Sequence, residues 1–333
     1  MIITQTPLRI SFLGGGTDLA AFYAEEPGGV LCCTIDKYIY VMLKRRFDRR
    51  IRVGYTRTEL VDTVDEVEHD LVRESLRSTG VDSTIELATM GDIPSRGSGL
   101  GSSSTVTVGL LHALWAHRGV LPPRHRLAET ACDIEIKRLD RPIGKQDQYA
   151  VAFGGLRYIR FEPDSVDVSE PVVSSRTLRG ISERLMLFYT GITRRSATIL
   201  QEQRENTHAQ RQSLRRMRDL ADAGRAALAD GQIDALGAYL HDGWMYKREL
   251  ASRITNADID GMYERARQAG ALGGKICGAG GGGFLLLYAE PEAQDLVRAA
   301  LTDYRELPFG LAPHGTRVLL NVDAGSDGMA EVG

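Results

Sequence analysis

Lysine is the scarcest charged residue of this 333-residue chain: of its 41 basic side chains, 35 are arginine and only six are lysine. A single arginine beside a candidate phosphate loop therefore carries little weight, since composition alone would put one there. Cysteine is sparse too. Cys32, Cys33, Cys132 and Cys277 fall at spacings that suit neither a zinc site nor a small disulfide framework, so a reducing, cytoplasmic setting is expected. No apolar run reaches the roughly 18 residues of a membrane-spanning helix. Met1 to Asp18 lack a basic stretch followed by an apolar core, so export is not expected either. An excess of one charge sign is also missing. With 41 basic against 44 acidic residues and a net charge of -3, nothing draws the whole surface toward nucleic acid or an anionic membrane, which leaves small molecules as the expected partners. The string G-x-x-x-x-G-K-[ST] occurs nowhere, which excludes the P-loop. Gly278, Gly280 and Gly283 meet the dinucleotide fingerprint formally, but they lead into Phe284-Leu285-Leu286-Leu287-Tyr288, a strand where that fold needs a helix.

What is present is an ordinary globular composition, 43% hydrophobic and 26% charged, in a chain long enough for two domains. Residues 2 to 13 and 30 to 44 read as strands flanking a glycine turn, with further strands at 51 to 55 and 84 to 89 and a helix over 65 to 79. Val106, Leu110, Leu111 and Leu114 repeat at helical spacing, which predicts a helix from Ser102 that ends before Pro122-Pro123. A second helix is expected over 125 to 138, then a polar turn and a strand from Leu156 to Phe161. The polar stretch 162 to 180 is the expected domain boundary, dividing the chain at about residue 170. Beyond it the pattern predicts a strand at 185 to 190, one long charged helix over 196 to 229, helices near 232 to 252, 256 to 269 and 291 to 303, and strands at 283 to 289 and 316 to 322. The final eight or so residues read as a loose tail.

Three segments are rich in glycine. Pro94 to Ser104 precedes a predicted helix, so its backbone N–H groups and the helix dipole would converge on an anion, and its hydroxyls could cap the helix or bind a metal. Gly278 to Gly283 serves most simply as a tight turn into a strand. Gly14-Gly15-Gly16-Thr17-Asp18 ends in an aspartate that could accept hydrogen bonds from substrate hydroxyls or merely cap a helix.

Three such segments in this order resemble those of the GHMP kinases, named for galacto-, homoserine, mevalonate and phosphomevalonate kinases. Pro7-Leu8-Arg9-Ile10-Ser11-Phe12-Leu13-Gly14-Gly15-Gly16-Thr17-Asp18 looks like the family's first motif, residues 94 to 104 like its nucleotide loop, and residues 278 to 284 like its third motif. Within the family the opening Gly-Gly-Gly-Thr-Asp, Gly144-Lys145-Gln146-Asp147-Gln148-Tyr149 and Ala271 to Lys275 are similar to the D-glycero-D-manno-heptose 7-phosphate kinases. The resemblance implies an α+β fold of two domains with the active site in the cleft between them, ATP and Mg²⁺ as cofactors, and transfer of a phosphoryl group to the anomeric hydroxyl of a heptose 7-phosphate. Other GHMP sugar-1-kinases, of galactose, fucose or N-acetylhexosamine type, and a non-catalytic sugar sensor of the same fold remain alternatives.

Residue by residue, the resemblance implies Asp147 as the catalytic base and Arg9 as its basic neighbour. It implies a nucleotide loop of Pro94, Gly97, Gly99, Leu100, Gly101, Ser102, Ser103 and Ser104, with Ser103 and Glu135 as metal ligands. Gly15, Gly16, Thr17, Asp18, Asp147, Gly280 and Gly281 are expected at the sugar. Arg194, in Thr193-Arg194-Arg195-Ser196 with Lys145 behind it, is the candidate for a substrate phosphate, because guanidinium forks suit phosphate. The sequence does not specify the oligomeric state.

Overall fold

The computed structural model describes residues 1–93, 97–193 and 196–322. Its strands are β1 (Ile2–Leu13), β2 (Gly28–Arg45), β3 (Ile51–Gly54), β4 (Thr58–Val61), β5 (Ile85–Gly91), β6 (Leu156–Phe161), β7 (Val166–Ser169), β8 (Leu185–Tyr189), β9 (Gly273–Ile276), β10 (Phe284–Tyr288), β11 (Arg305–Glu306) and β12 (Arg317–Asn321). Eight of them form one sheet, in the order β12-β1-β2-β5-β3-β4, with β6 on the first half of β2 and β7 beyond it. The other four form a second sheet, β11-β8-β10-β9. The helices are α1 (Ala20–Tyr23), α2 (Asp70–Thr79), α3 (Ser102–His117), α4 (Arg124–Cys132), α5 (Gln146–Phe153), α6 (Ser175–Arg184), α7 (Ser196–Asn206), α8 (Arg211–Ala229), α9 (Ala235–Glu249), α10 (Ala257–Gln268) and α11 (Pro291–Ala300).

β1 ties the molecule together. One stretch of it pairs with β2 and β12, while Leu8, Ile10 and Phe12 join a single apolar cluster with Leu187 and Leu286 of the second sheet and Leu228 and Leu240 of α8 and α9. Successive side chains of a strand alternate between faces, so Leu8, Ile10 and Phe12 enter this cluster while Arg9 and Ser11 between them line a cleft. Pro7 sits where the β1–β2 register shifts, a place where its missing N–H costs no ladder bond. A second cluster fills the space between the large sheet and α2 to α5, and a third lies among β8 to β10 and α7 to α11.

Most predicted elements stand within a few residues of their expected bounds, and the departures have local causes. Residues 196 to 229 are two helices, broken by a turn at 207 to 210 where Thr207 turns its hydroxyl back onto the Gln203 carbonyl, 3.0 Å away. The expected turn after Gly144 contains helix α5, and α6 lies inside the polar stretch assigned to a boundary, started by Ser174, whose hydroxyl accepts from the Thr177 N–H at 3.0 Å. β9 was hidden by its two glycines, because a strand of Gly273-Gly274-Lys275-Ile276 has almost no apolar pattern. β12 returns from the end of the chain to the large sheet, so the sheets do not divide at one point in the sequence. The expected tail lies outside the described residues.

Candidate active site

The three glycine segments meet around a cleft of about 350 Å³. The loop before α3 and the Gly278 turn lie back to back, with glycine against glycine. A Cβ on Gly99 (φ +75°) would fall 2.5 Å from the Cys277 carbonyl oxygen, and one on Gly278 (φ +65°) would fall 2.8 Å from the Gly99 Cα. Only residues without a side chain allow both the left-handed backbone and this approach. Gly101 caps α3 with no side-chain hydrogen bond, and Ser102, Ser103 and Ser104 of its first turn border the cleft. A 16-residue helix thus aims its uncapped N-terminus at the cleft, which suits an anion.

Arg9 and Asp147 form the floor. Arg9, 3% exposed on β1, donates from Nε to Asp147 Oδ1 at 2.6 Å and from Nη2 to Oδ2 at 2.5 Å, and its Nη1 reaches the Gly99 carbonyl at 2.7 Å. Burial works against the arginine's charge and Asp147 works for it. The carboxylate prevails and holds the guanidinium above its ordinary value. Asp18 faces the same cleft, buried, accepting from the N–H groups of Gly16 at 2.9 Å and Gln146 at 3.2 Å. Burial pushes its carboxyl above the usual carboxylate range, against those two N–H donors and with help from the nearby Asp147 charge. Ser11 Oγ and Gln146 Oε1, also on the cleft, are buried with no hydrogen-bond partner among the described residues. Unpaired polar atoms beside a carboxylate are what a polyhydroxylated ligand would satisfy.

Glu135 is fully buried where the helix continuing from α4 widens into a π turn, Asp133–Arg138, a distortion that recurs at functional sites. Ser103 Oγ donates to Glu135 Oε1 at 2.5 Å and Gln148 Nε2 donates to Oε2 at 2.8 Å. Burial raises the Glu135 carboxyl, opposed chiefly by the Ser103 and Ser104 hydroxyls and the Arg141 charge. Among the described residues no three His, Cys, Asp or Glu side chains gather as a metal cluster. One hydroxyl and one carboxylate nevertheless fit Mg²⁺, a hard cation that keeps waters and takes its remaining oxygens from phosphates. Arg141 places its guanidinium on these same two oxygens, so the pair already attracts positive charge.

Gly97, Gly99, Gly101, Gly15, Gly16 and Gly280 all border the cleft. Four expected site residues among those described do not: Glu135, which meets the cleft only through Ser103, and three others. Thr17 is fully buried and turned into β2, its hydroxyl donating to the carbonyls of Gly14 at 2.8 Å or Gly29 at 3.1 Å and accepting from the Gly29 N–H at 3.0 Å. Leu100 is packed into the apolar cluster under β1, and Gly281 spends its N–H on the Ile254 carbonyl at 2.7 Å. Lys145 stands 4.6 Å over the Tyr23 ring and does not line the cleft. Pro94 and Arg194 lie outside the described residues. Sequence reasoning missed Arg141, Gln203, Lys247 and Lys275, all of which line the cleft. The two buried lysines, in a chain with only six, were a signal that could have been used. Lys275 donates to the carbonyls of Ser11 at 2.9 Å and Phe12 at 3.2 Å, and burial lowers it to about 8. Lys247 holds the carbonyls of Ile276, at 3.1 Å, and Gly278, and burial also depresses it.

Residues 54–155 match the GHMP kinases N terminal domain, and residues 225–306 match the GHMP kinases C terminal family. D-glycero-alpha-D-manno-heptose 7-phosphate kinase of Campylobacter jejuni is 30% identical over 315 residues, covering 90% of this chain and 92% of that protein. The crystal structure of a D-glycero-D-manno-heptose 1-phosphate kinase from Bacteroides thetaiotaomicron superposes with a TM-score of 0.80 at 24% identity, covering 96% and 99% of the two chains. A putative sugar kinase from Campylobacter jejuni gives a TM-score of 0.77 at 26% identity, covering 95% and 97%.

Proposed function

The chain belongs to the GHMP kinases, and on that premise we propose that it phosphorylates the anomeric hydroxyl of D-glycero-D-manno-heptose 7-phosphate to give the 1,7-bisphosphate. The reaction class follows from the family: a sugar kinase, transferring a phosphoryl group from ATP to an alcohol. The heptose is the finer reading, supported by the Campylobacter relative over nine tenths of this chain.

The observation that carries the mechanism is the position of Asp147, gripped by Arg9 beside the uncapped N-terminus of α3. In our reading the phosphates of ATP lie against Gly97 to Ser104, and the cavity beside them bordered by Ile39, Met90, Ile93 and Val106 takes the nucleoside. The sugar would satisfy Asp18, Ser11 and Gln146, and its anomeric hydroxyl would point at Asp147. The hydroxyl oxygen bonds to the γ-phosphorus as the β,γ-bridging P–O bond breaks, its proton passes to the Asp147 carboxylate, and ADP leaves with the bridging electrons. Mg²⁺ on Ser103 and Glu135 would neutralise phosphate charge. Arg9 holds the carboxylate in place and, through Gly99, couples it to the phosphate loop. Arg194 is the proposed partner of the 7-phosphate on its chemistry alone, because a guanidinium fork suits phosphate.

The test is ADP release with Mg·ATP against D-glycero-D-manno-heptose 7-phosphate, mannose 6-phosphate, galactose, fucose and N-acetylhexosamines, with Asp147→Asn as control. Turnover of the heptose phosphate alone, lost in the variant, is expected. Turnover of an unphosphorylated sugar alone would sink the heptose assignment. Arg194→Ala is expected to raise KM for the phosphorylated sugar far more than for its unphosphorylated form.

A further inference from the structure

Arg141 lies in the loop between the Glu135 turn and α5, and its guanidinium joins three side chains from separate elements. Nη1 donates to Ser103 Oγ at 2.6 Å and to Glu135 Oε1 at 3.2 Å, while Nη2 donates to Asp70 Oδ2, on the first residue of α2, at 2.7 Å. The backbone fixes the residue as well, since the Arg141 N–H donates to the Glu135 carbonyl at 3.0 Å. The side chain is 27% exposed and borders the cleft, and Asp70 borders the neighbouring cavity, so the ion pair stands where the two spaces adjoin.

Ser103 Oγ and Glu135 Oε1 are the oxygens assigned to Mg²⁺ above, and this inference rests on that assignment. A guanidinium and a divalent cation cannot use the same two oxygens together. Both need the same lone pairs, and positive charges about 4 Å apart in a partly buried site repel strongly. Asp70 offers what an exchange requires: a second anchor that holds Arg141 at the edge of the cleft after it releases the first pair. A planar fork anchored at one nitrogen still has donors free for phosphate oxygens.

We propose that Arg141 and the divalent cation exchange on Ser103 and Glu135, and that the displaced guanidinium, anchored by Asp70, turns to the phosphate tail of the nucleotide. Arg141 is thus a cation that keeps the ligand pair ordered and then becomes a phosphate ligand itself.

The test uses Mn²⁺ as the probe, titrated into the full-length protein without nucleotide and followed by the electron paramagnetic resonance of the free ion. Arg141→Ala and Arg141→Gln are expected to bind Mn²⁺ at least about tenfold more tightly than the wild type, because the competing charge is gone. The Gln variant, shorter but polar and uncharged, serves if the Ala variant does not fold, and a thermal melt establishes which does. Both variants should also bind ATP more weakly when Mn²⁺ saturates the site in wild type and variant alike. Mn²⁺ affinity unchanged in both, with Glu135→Gln weakened, would overturn the exchange and spare the metal site. Mn²⁺ binding to Glu135→Gln as tight as to the wild type would remove the metal-site assignment, and the exchange with it. Tighter Mn²⁺ with unchanged ATP binding at saturating Mn²⁺ would overturn the turn toward phosphate.

Discussion

Arg9 and Asp147, 138 residues apart in sequence, meet fork to fork at 2.6 and 2.5 Å, and the third nitrogen of the same guanidinium reaches the glycine loop before α3 at Gly99. Asp147→Asn keeps the shape and removes the proposed base, so kcat is expected to fall about 10² to 10⁴-fold with little change in KM for ATP. Arg9→Lys replaces a fork by a point charge that cannot span both carboxylate oxygens and the Gly99 carbonyl. Its kcat should drop about tenfold or more, the equivalent of at least about 1.4 kcal/mol in the barrier. Steady-state ADP release measures both, and kcat preserved in Arg9→Lys would show that the bidentate geometry is unimportant.

The back-to-back packing of the loops can be separated from backbone strain. Gly99 and Gly191 share φ +75°, but a Cβ on Gly191 meets nothing within 4 Å. Gly191→Ala should cost about 1 to 2 kcal/mol of stability from the left-handed backbone alone. Gly99→Ala should cost clearly more and raise KM for ATP, because its Cβ pushes the loop off Cys277. Denaturant melts of both variants decide, and equal costs would rule out the clash.

Thr17 was expected at the sugar and lies in the wall behind it. Thr17→Val removes the partner of the buried Gly29 N–H, at a cost of about 1 to 3 kcal/mol. The folded variant should keep the wild-type KM for the sugar. A raised KM with unchanged stability would return Thr17 to the binding site.

Lys275 makes stability depend on pH in a definite window. Its folded value, about 8, is below the ordinary 10.5, so between those values the unfolded chain binds more protons than the folded one. Stability from this group is therefore lowest below pH 8 and rises toward pH 10.5, by up to about 3 kcal/mol for a shift of this size. The wild type should gain on Lys275→Met over that interval in paired melts. A difference that stays flat would mean the buried ammonium does not titrate there.

The parts legible in the sequence were those written in local pattern. The three glycine segments, the helix from Ser102 and the strands around Gly14 were readable because φ preferences and hydrophobic period act over a few residues. Asp147, Ser103 and Glu135 were reached through resemblance; Asp147 and Ser103 line the cleft, and Glu135 is buried against Ser103. β9 and α5 were missed, one because glycine carries no apolar pattern and the other because a short buried helix of Tyr149-Ala150-Val151-Ala152 shows no polar face.

The sequence by itself, through the resemblance that its three glycine motifs carry in order, was enough for the GHMP fold and the kinase class, because a glycine-rich turn before a helix start is a local pattern. Tertiary structure alone decided which residues of each motif line the cleft: Asp18 and not Thr17, Gly280 and not Gly281, and Arg141, which no motif singled out. The reason is physical. Whether a side chain lines a cleft or a wall depends on which distant strand lies behind it, and Thr17 faces β2 as Arg141 faces Ser103 only once the chain has closed on itself.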